Sequence, residues 1–151
     1  MSQPLSAAAR ESSRNSAQLN GVRILVVDDQ EDARELVASI LEREGAVVSQ
    51  ADSVSGAMQV MAHLTFALLV SDIGMPIEDG YDLIRRVRSA ASPQLRDMPA
   101  VAVTAFCTPQ DRTKACSAGF QEHLAKPVDI RALIEVAARL TGLSAPPGAG
   151  P

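Results

Sequence analysis

The chain has 151 residues, a formal net charge of −4 and two cysteines. This length favours one domain, because two domains would each have a marginal hydrophobic core. The acidic balance and the scattered Lys and Arg residues argue against a nucleic-acid partner, and no apolar run approaches the roughly 20 residues of a membrane span. We therefore expect a cytoplasmic protein that binds neither nucleic acid nor membrane, with Cys107 and Cys116 as ordinary reduced thiols.

The two ends of the chain differ in composition from its middle. Residues 1–20 and 142–151 are rich in Ser, Ala, Gly and Pro and poor in large apolar side chains. Such segments bury too little apolar surface to offset the entropy that ordering them costs. We therefore predict disordered tails on either side of a single domain at residues 21–141.

Between the tails, short β-branched runs alternate with segments of helical periodicity. The predicted strands are RILVV (23–27), AVVSQ (46–50), ALLVS (67–71), AVAVT (100–104) and FQEHLA (120–125). Apolar side chains at helical spacing run from Ala33 to Leu41, Val54 to Met61, Leu83 to Val87 and Ile130 to Ala137. This alternation predicts an α/β fold of the (βα)5 type, a doubly wound, five-stranded parallel sheet with helices on both faces.

The fourth predicted helix has a well-marked start but a thin apolar face. Thr108 can cap its N-terminus, Pro109 takes the first helical position, Asp111 can bond back to the cap, and Gly119 ends the helix. Its apolar positions are little more than Ala115, Cys116 and Ala118. A helix with so little apolar surface to bury is a candidate for motion.

Polar side chains occupy the carboxyl ends of four predicted strands. They are Asp28 and Asp29 after the first strand, Asp72 after the third, Thr104 at the end of the fourth and Lys126 after the fifth. Ligands of open parallel sheets bind outside these ends, so we expect the five side chains to converge. Three neighbouring carboxylates would repel one another unless a divalent cation neutralised them, and oxygen-only ligation suits Mg²⁺. The paired acids are therefore interpreted as a metal anchor.

The motifs around these residues resemble those of the receiver domain of two-component response regulators. They are VVDDQED, VSDIGMPIEDGYDLIRRVR, VAVTA and GFQEHLAKPVD, in that order, and the resemblance covers about residues 22–141. It implies the flavodoxin-like strand order 2-1-3-4-5, in a stand-alone receiver or one excised from a hybrid sensor kinase. The implied partners are a sensor histidine kinase or histidine phosphotransfer domain, and a downstream protein that binds the face formed by the fourth helix, fifth strand and fifth helix.

The resemblance implies a phosphoacceptor and a metal site. Asp72 would take a phosphoryl group from a phosphohistidine on the partner kinase. Asp29, Asp72 and the backbone carbonyl of Gly74 would bind Mg²⁺ directly, and Asp28 would act mostly through a water. The neighbouring hydroxyl, Ser71, is expected to point to the opposite face of its strand and to remain unmodified.

The resemblance also implies a switch. Lys126 would neutralise charge on the phosphoryl group, and Thr104 would turn to bond a phosphoryl oxygen while His123 swings from solvent into the vacated space. Because an imidazole titrates in the physiological range, this movement is expected to depend on pH. Two positions depart from common family patterns: Gly74 has no side chain to orient a hydrolytic water, and Phe106 could cover the site. We therefore expect slow hydrolysis of the phosphorylated form.

Two other kinds of protein could carry similar residues. A phosphatase of the haloacid dehalogenase type uses a similar Asp, Mg²⁺ and Lys set, but it usually carries an Asp-x-Asp motif, whereas Asp72 is followed by Ile73 and Gly74. A degenerate receiver would act only as a binding module, but all five site residues are intact. We therefore expect a signalling domain that catalyses only its own phosphorylation and dephosphorylation, not an enzyme with an external substrate.

Overall fold

The computed structural model describes residues 18–105 and 107–142. Its strands are β1 (Arg23–Val27), β2 (Val47–Ala51), β3 (Leu68–Asp72), β4 (Ala100–Thr104) and β5 (Glu122–Ala125). The helices that follow them are α1 (Glu31–Arg43), α2 (Val54–Met61), α3 (Gly80–Arg88), α4 (Pro109–Ala118) and α5 (Ile130–Leu140), and a single helical turn, Pro93–Arg96, lies between α3 and β4. Each predicted strand overlaps an observed one, and β5 begins later than predicted.

The five strands form one parallel sheet with the order β2-β1-β3-β4-β5. This order confirms the flavodoxin-like topology that the family resemblance implied. In the observed register Val27 lies opposite Ser71, and Thr104 lies opposite Ala125. The carboxyl ends of β1, β3, β4 and β5 therefore meet at one edge of the sheet.

Alternate residues of each central strand pack into two separate hydrophobic cores. Leu25 and Leu69 belong to the core that is covered by α2 and α3, and Ile24 and Val70 belong to the core that is covered by α1 and α5. All five residues of β3 are buried, as expected for a strand covered on both faces. In the part of the chain that the structure describes, no helix combines the length and the apolar character needed to cross a membrane.

The packed domain begins earlier than residue 21, so the predicted N-terminal boundary needs correction. Leu19 is fully buried in the core beneath α1 and α5. Its backbone N–H donates to the carbonyl of Glu44 at 2.9 Å, and the N–H of Gly21 donates to the carbonyl of Gly45, also at 2.9 Å. The turn after α1 thus provides backbone acceptors for residues 19–21, and the adjacent core buries Leu19. These contacts order the end of a segment whose composition predicted disorder.

The fourth helix has the cap and the thin apolar face that its sequence predicts. The side-chain oxygen of Thr108 accepts from the N–H of Asp111 at 3.1 Å, and the Asp111 carboxylate accepts from the N–H of Thr108, also at 3.1 Å. Gly119 ends the helix with a φ of 127°, which favours glycine. Among the residues of α4, only Ala115 is buried. The helix is therefore well capped at its ends but buries little side-chain surface against the rest of the domain.

Candidate functional site

Three carboxylates meet at the carboxyl edge of the sheet. Asp28 and Asp29 follow β1 directly, and Asp72 is the last residue of β3, the neighbouring strand. One carboxylate oxygen from each residue lies within 4.8 Å of the others. Asp28 and Asp72 are 4% and 7% exposed, whereas Asp29 is exposed to solvent. The structure therefore brings together the three acids that the strand ends predicted, with one of them facing the solvent.

Lys126 bridges the two buried acids. Its Nζ lies 2.9 Å from Oδ2 of Asp28 and 3.1 Å from Oδ1 of Asp72. The backbone N–H of Lys126 donates to the carbonyl of Thr104 at 2.9 Å, which fixes the exit from β5 beside the end of β4. Oδ1 of Asp28 accepts from the N–H of Gln30 at 3.0 Å, so both oxygens of this carboxylate already accept hydrogen bonds.

The charges of the cluster oppose ionisation of its central acid. Burial raises the pKa of Asp72, the negative charge of Asp28 raises it further, and the hydrogen bond and charge of Lys126 only partly oppose these effects. Burial alone would lower the pKa of Lys126, but its hydrogen bonds to Asp28 and Asp72 together with their charges raise it. Lys126 is therefore a charged partner of both acids.

The donor set fits a divalent cation. Three carboxylates and one ammonium group leave two formal negative charges without compensation. Burial is the larger cause of the raised pKa of Asp72, and repulsion from Asp28 adds to it. The available side-chain ligands at this point are all oxygens, which hard cations such as Mg²⁺ or Ca²⁺ prefer. By charge and by ligand type, these residues could hold a metal ion between Asp29 and Asp72.

The loop after β3 contains one glycine with space around it and one without. A Cβ atom at Gly74 would meet no atom within 4 Å. A Cβ atom at Gly80 would lie 2.5 Å from the carbonyl oxygen of Asp72 and 2.8 Å from the Cα of Ile73. Asp79 caps α3, and Gly80 is the first residue of this helix. The requirement for glycine at position 80 was missed; its one sequence signal is a poor helix former directly after that cap.

The two hydroxyls next to the site differ in position. Thr104 is buried at the end of β4. Ser71 is fully buried, and its Oγ donates to the backbone carbonyl of Asp72 at 2.8 Å. Strand alternation places Ser71 on the same face as Leu69, opposite to that of the Asp72 side chain. Ser71 is therefore still predicted to point away from the acidic cluster.

The structure corrects the predicted position of His123. The residue is 8% exposed in β5, so it does not start in solvent. The loop between β4 and α4 covers it, because the Sγ of Cys107 lies 3.7 Å from Nδ1 of His123 and 3.7 Å from the carbonyl oxygen of Thr104. This contact was not predicted, and Phe106, the proposed cover of the site, lies outside the described residues.

Comparisons with known proteins agree with this arrangement. A family model of the response regulator receiver domain matches residues 24–138. An uncharacterised 14.6 kDa protein of Leptolyngbya boryana is 43% identical, with 75% of this chain and 85% of that protein covered. Hybrid signal transduction histidine kinase D of Dictyostelium discoideum is 32% identical, with 76% of this chain but 8% of the kinase covered.

A solved receiver domain shows the same fold. The receiver domain of the sensor histidine kinase PA1611 of Pseudomonas aeruginosa is 27% identical, with a TM-score of 0.73 and coverage of 81% of this chain and 98% of that domain. It has a magnesium ion coordinated in its active site cleft. The chain belongs to the response regulator receiver domain family, as its motifs predicted. It spans most of the Leptolyngbya protein but a small part of the hybrid kinase.

Proposed function

We propose that this chain is a cytoplasmic phosphoacceptor of a two-component or phosphorelay system. A sensor histidine kinase or a histidine phosphotransfer domain would donate the phosphoryl group, and Asp72 would accept it. One observation carries the proposal: the carboxylate of Asp72 pairs with the ammonium group of Lys126 and lies within 4.8 Å of two further carboxylates, at the sheet edge where parallel α/β folds bind their ligands. The likeness to a hybrid histidine kinase supports the choice of partner.

The transfer exchanges one bond to phosphorus for another. A carboxylate oxygen of Asp72 attacks the phosphorus in line with the leaving imidazole, so that an O–P bond forms as the N–P bond of the phosphohistidine breaks. Lys126, already 3.1 Å from Asp72, would bond an oxygen of the transferred group and neutralise part of its charge. The chain therefore catalyses only its own phosphorylation and, with water as the attacking group, its own dephosphorylation.

The proposed metal is Mg²⁺, which neutralises charge on the phosphoryl oxygens when it is bound. Asp29, Asp72 and the backbone carbonyl of Gly74 would hold it directly, with Asp28 acting through a water. Both carboxylate oxygens of Asp28 already accept hydrogen bonds, whereas Asp29 is exposed. This difference supports direct binding of the metal by Asp29 and indirect binding by Asp28.

The proposed output is a change in the face formed by α4, β5 and α5. Thr104, buried at the end of β4, would bond a phosphoryl oxygen, and the loop that follows it would move with it. His123 is already inside this face, so the change would alter its contacts rather than carry it in from solvent. A downstream protein would recognise the altered face.

The first test is covalent labelling with acetyl phosphate as donor. We expect label on the wild-type chain that requires Mg²⁺ and disappears in hydroxylamine, which cleaves an acyl phosphate but not a phosphoserine. Asp72→Asn should carry no label, and Ser71→Ala should carry the wild-type amount. Label that survives hydroxylamine, or that persists in Asp72→Asn, would refute the assignment.

A further inference from the structure

An arginine on α1 bonds the backbone of the turn that carries Asp28 and Asp29. Nη1 of Arg34 donates to the backbone carbonyl of Asp28 at 3.0 Å, and its Nε donates to Oε1 of Gln50 at 2.9 Å. Arg34 is partly buried, and Gln50 is an exposed residue of β2, the strand beside β1. The guanidinium therefore links the exit of β1 to β2.

This link fixes the peptide group between Asp28 and Asp29. The N–H of Asp28 donates to the carbonyl of Ala51 at 3.1 Å, and the carbonyl of Asp28 accepts from Arg34, so the backbone of Asp28 is held on both sides. Because a peptide group is planar, a fixed carbonyl of Asp28 also fixes the direction in which the Cα of Asp29 lies. The position of the Asp29 carboxylate therefore depends on the hydrogen bond from Arg34.

The two acids of this turn differ in how their side chains are held. The carboxylate of Asp28 accepts from the N–H of Gln30 at 3.0 Å and from Lys126 at 2.9 Å. Asp29 is exposed to solvent, and Gln30, which follows it at the start of α1, makes no side-chain capping bond. Asp29 therefore relies on its backbone for its orientation more than Asp28 does.

We propose that Arg34 is a positioning residue for the metal site: by holding the carbonyl of Asp28, it keeps the carboxylate of Asp29 within reach of Asp72. This inference rests on the proposed Mg²⁺ site, for which Asp29 and Asp72 would supply direct ligands. A lysine could not replace Arg34, because an ammonium group lacks the planar set of donors that bonds two acceptors in fixed directions. Replacing a residue that orients metal ligands typically lowers metal affinity by about ten- to a hundredfold.

The charge of Arg34 and its hydrogen bonds predict opposite effects on metal binding. A guanidinium is positive, so by charge alone it repels a cation, and its removal should tighten the binding of Mg²⁺. If Arg34 acts by positioning Asp29, its removal should weaken that binding. The sign of the change therefore separates the two roles.

The test is Mg²⁺ binding to the full, unphosphorylated chain, measured by isothermal titration calorimetry with magnesium chloride. Arg34→Met removes both the charge and the donors, Arg34→Lys keeps the charge, and both should weaken binding by about tenfold or more. Gln50→Ala removes the second partner of Arg34 and should weaken binding to a smaller extent. Arg43→Met and Arg43→Lys are the matched controls.

The controls make the same changes at the other end of the same helix. Arg43 is exposed in the last turn of α1. Nine residues of helix separate it from Arg34, and charges in solvent are screened over such a distance, so both control variants should change the affinity by less than about twofold.

Tighter Mg²⁺ binding by Arg34→Met, or wild-type affinity in Arg34→Lys, would overturn the proposal. Circular dichroism and urea denaturation identify the variants that are folded, and a variant that has lost only stability binds Mg²⁺ like the wild type while it is folded. Should both Arg34 variants fail to fold, Gln50→Ala decides, because its change lies on the surface. An unchanged affinity in that variant would then count against Arg34.

Labelling by acetyl phosphate separates this inference from the phosphoacceptor function. Wild-type Mg²⁺ affinity in both Arg34 variants, for a chain that is labelled at Asp72, refutes the positioning role alone. Mg²⁺ affinity that depends on Arg34, in a chain that takes no label, refutes the phosphoacceptor function alone. A wild-type chain that binds no Mg²⁺ refutes both the proposed metal site and the role of Arg34.

Discussion

The absence of a side chain at Gly74 has a direct consequence for the chemistry of the site. The residue lies two positions after Asp72, and the structure leaves open space where its Cβ would be. A water that attacks a phosphorylated Asp72 therefore finds no side-chain donor or acceptor at this position to orient it. The phosphorylated form should be long-lived for this reason.

Gly74→Asn should shorten the lifetime of the phosphorylated form. The added Cβ meets no atom within 4 Å, and the amide that it carries can hydrogen-bond an attacking water. We expect the rate of label loss to rise severalfold, measured after removal of acetyl phosphate. Gly74→Ala is the matched control, since it adds a Cβ but no polar group, and its lifetime should stay near that of the wild type. Equal lifetimes in all three proteins would show that water orientation at this position does not limit hydrolysis.

At the scale of single elements, α4 is held at its C-terminal end and loosely elsewhere. The guanidinium of Arg88, at the end of α3, donates to the carbonyl of Gly119 from Nε at 3.0 Å and from Nη2 at 2.7 Å. Its Nη1 donates to the carbonyls of Arg96 and Met98 at 2.8 and 2.6 Å. One side chain therefore ties the end of α4 to α3 and to the helical turn before β4, so movement of α4 is expected mainly at its N-terminal end.

Arg88→Lys should destabilise the domain although it keeps the charge. A lysine has no planar fork of donors, so several carbonyls that Arg88 satisfies would lose their partner. We expect a loss of about 1.5–3 kcal/mol in the free energy of unfolding, the usual range for hydrogen bonds to a charged group, measured by urea denaturation. Arg85→Lys is the control: the Arg85 side chain is 61% exposed and pairs with Asp82 at the surface, so the substitution should cost well under 1 kcal/mol. A loss of similar size in both variants would contradict the role of the fork.

At the scale of the whole molecule, the acidic site opposes folding stability. The pKa of Asp72 is raised above its ordinary value of 3.8 by burial and by Asp28, so the native state binds this proton more tightly than the unfolded chain does. Stability therefore falls as the pH rises from 3.8 through the raised pKa, and at higher pH the whole cost is present. The proposed phosphoacceptor role requires this cost, because only the ionised carboxylate can act as a nucleophile.

Asp72→Asn should accordingly be more stable than the wild type at neutral pH in the absence of Mg²⁺. The amide removes the buried charge, and we expect a gain on the order of 1 kcal/mol in urea denaturation. The gain should shrink as the pH falls toward 3.8, where the wild-type carboxyl becomes protonated. It should also shrink on addition of Mg²⁺, because the proposed metal site needs the intact carboxylate. Asp52→Asn, at an exposed acid, should change little. A less stable Asp72→Asn would mean that the bridge to Lys126 outweighs the burial of the charge.

The sequence by itself determined the strands, the cap of α4 and the meeting of Asp28, Asp29, Asp72 and Lys126. These features depend on local periodicity, on side-chain chemistry at helix ends and on the rule that parallel strands share one carboxyl edge. Each can be recognised within a few residues of the chain, and together they identify the family.

Only the tertiary structure decided which residues from distant parts of the chain come into contact. Leu19 is held in the core by the hydrogen bond from its backbone N–H to the carbonyl of Glu44. Arg88 donates to the carbonyl of Gly119, which lies 31 residues further along the chain. His123 is covered because the irregular loop after Thr104 brings Cys107 onto it. No periodicity encodes the path of such a loop, since it follows from the combined packing of β4, β5 and α4 and not from any one of them.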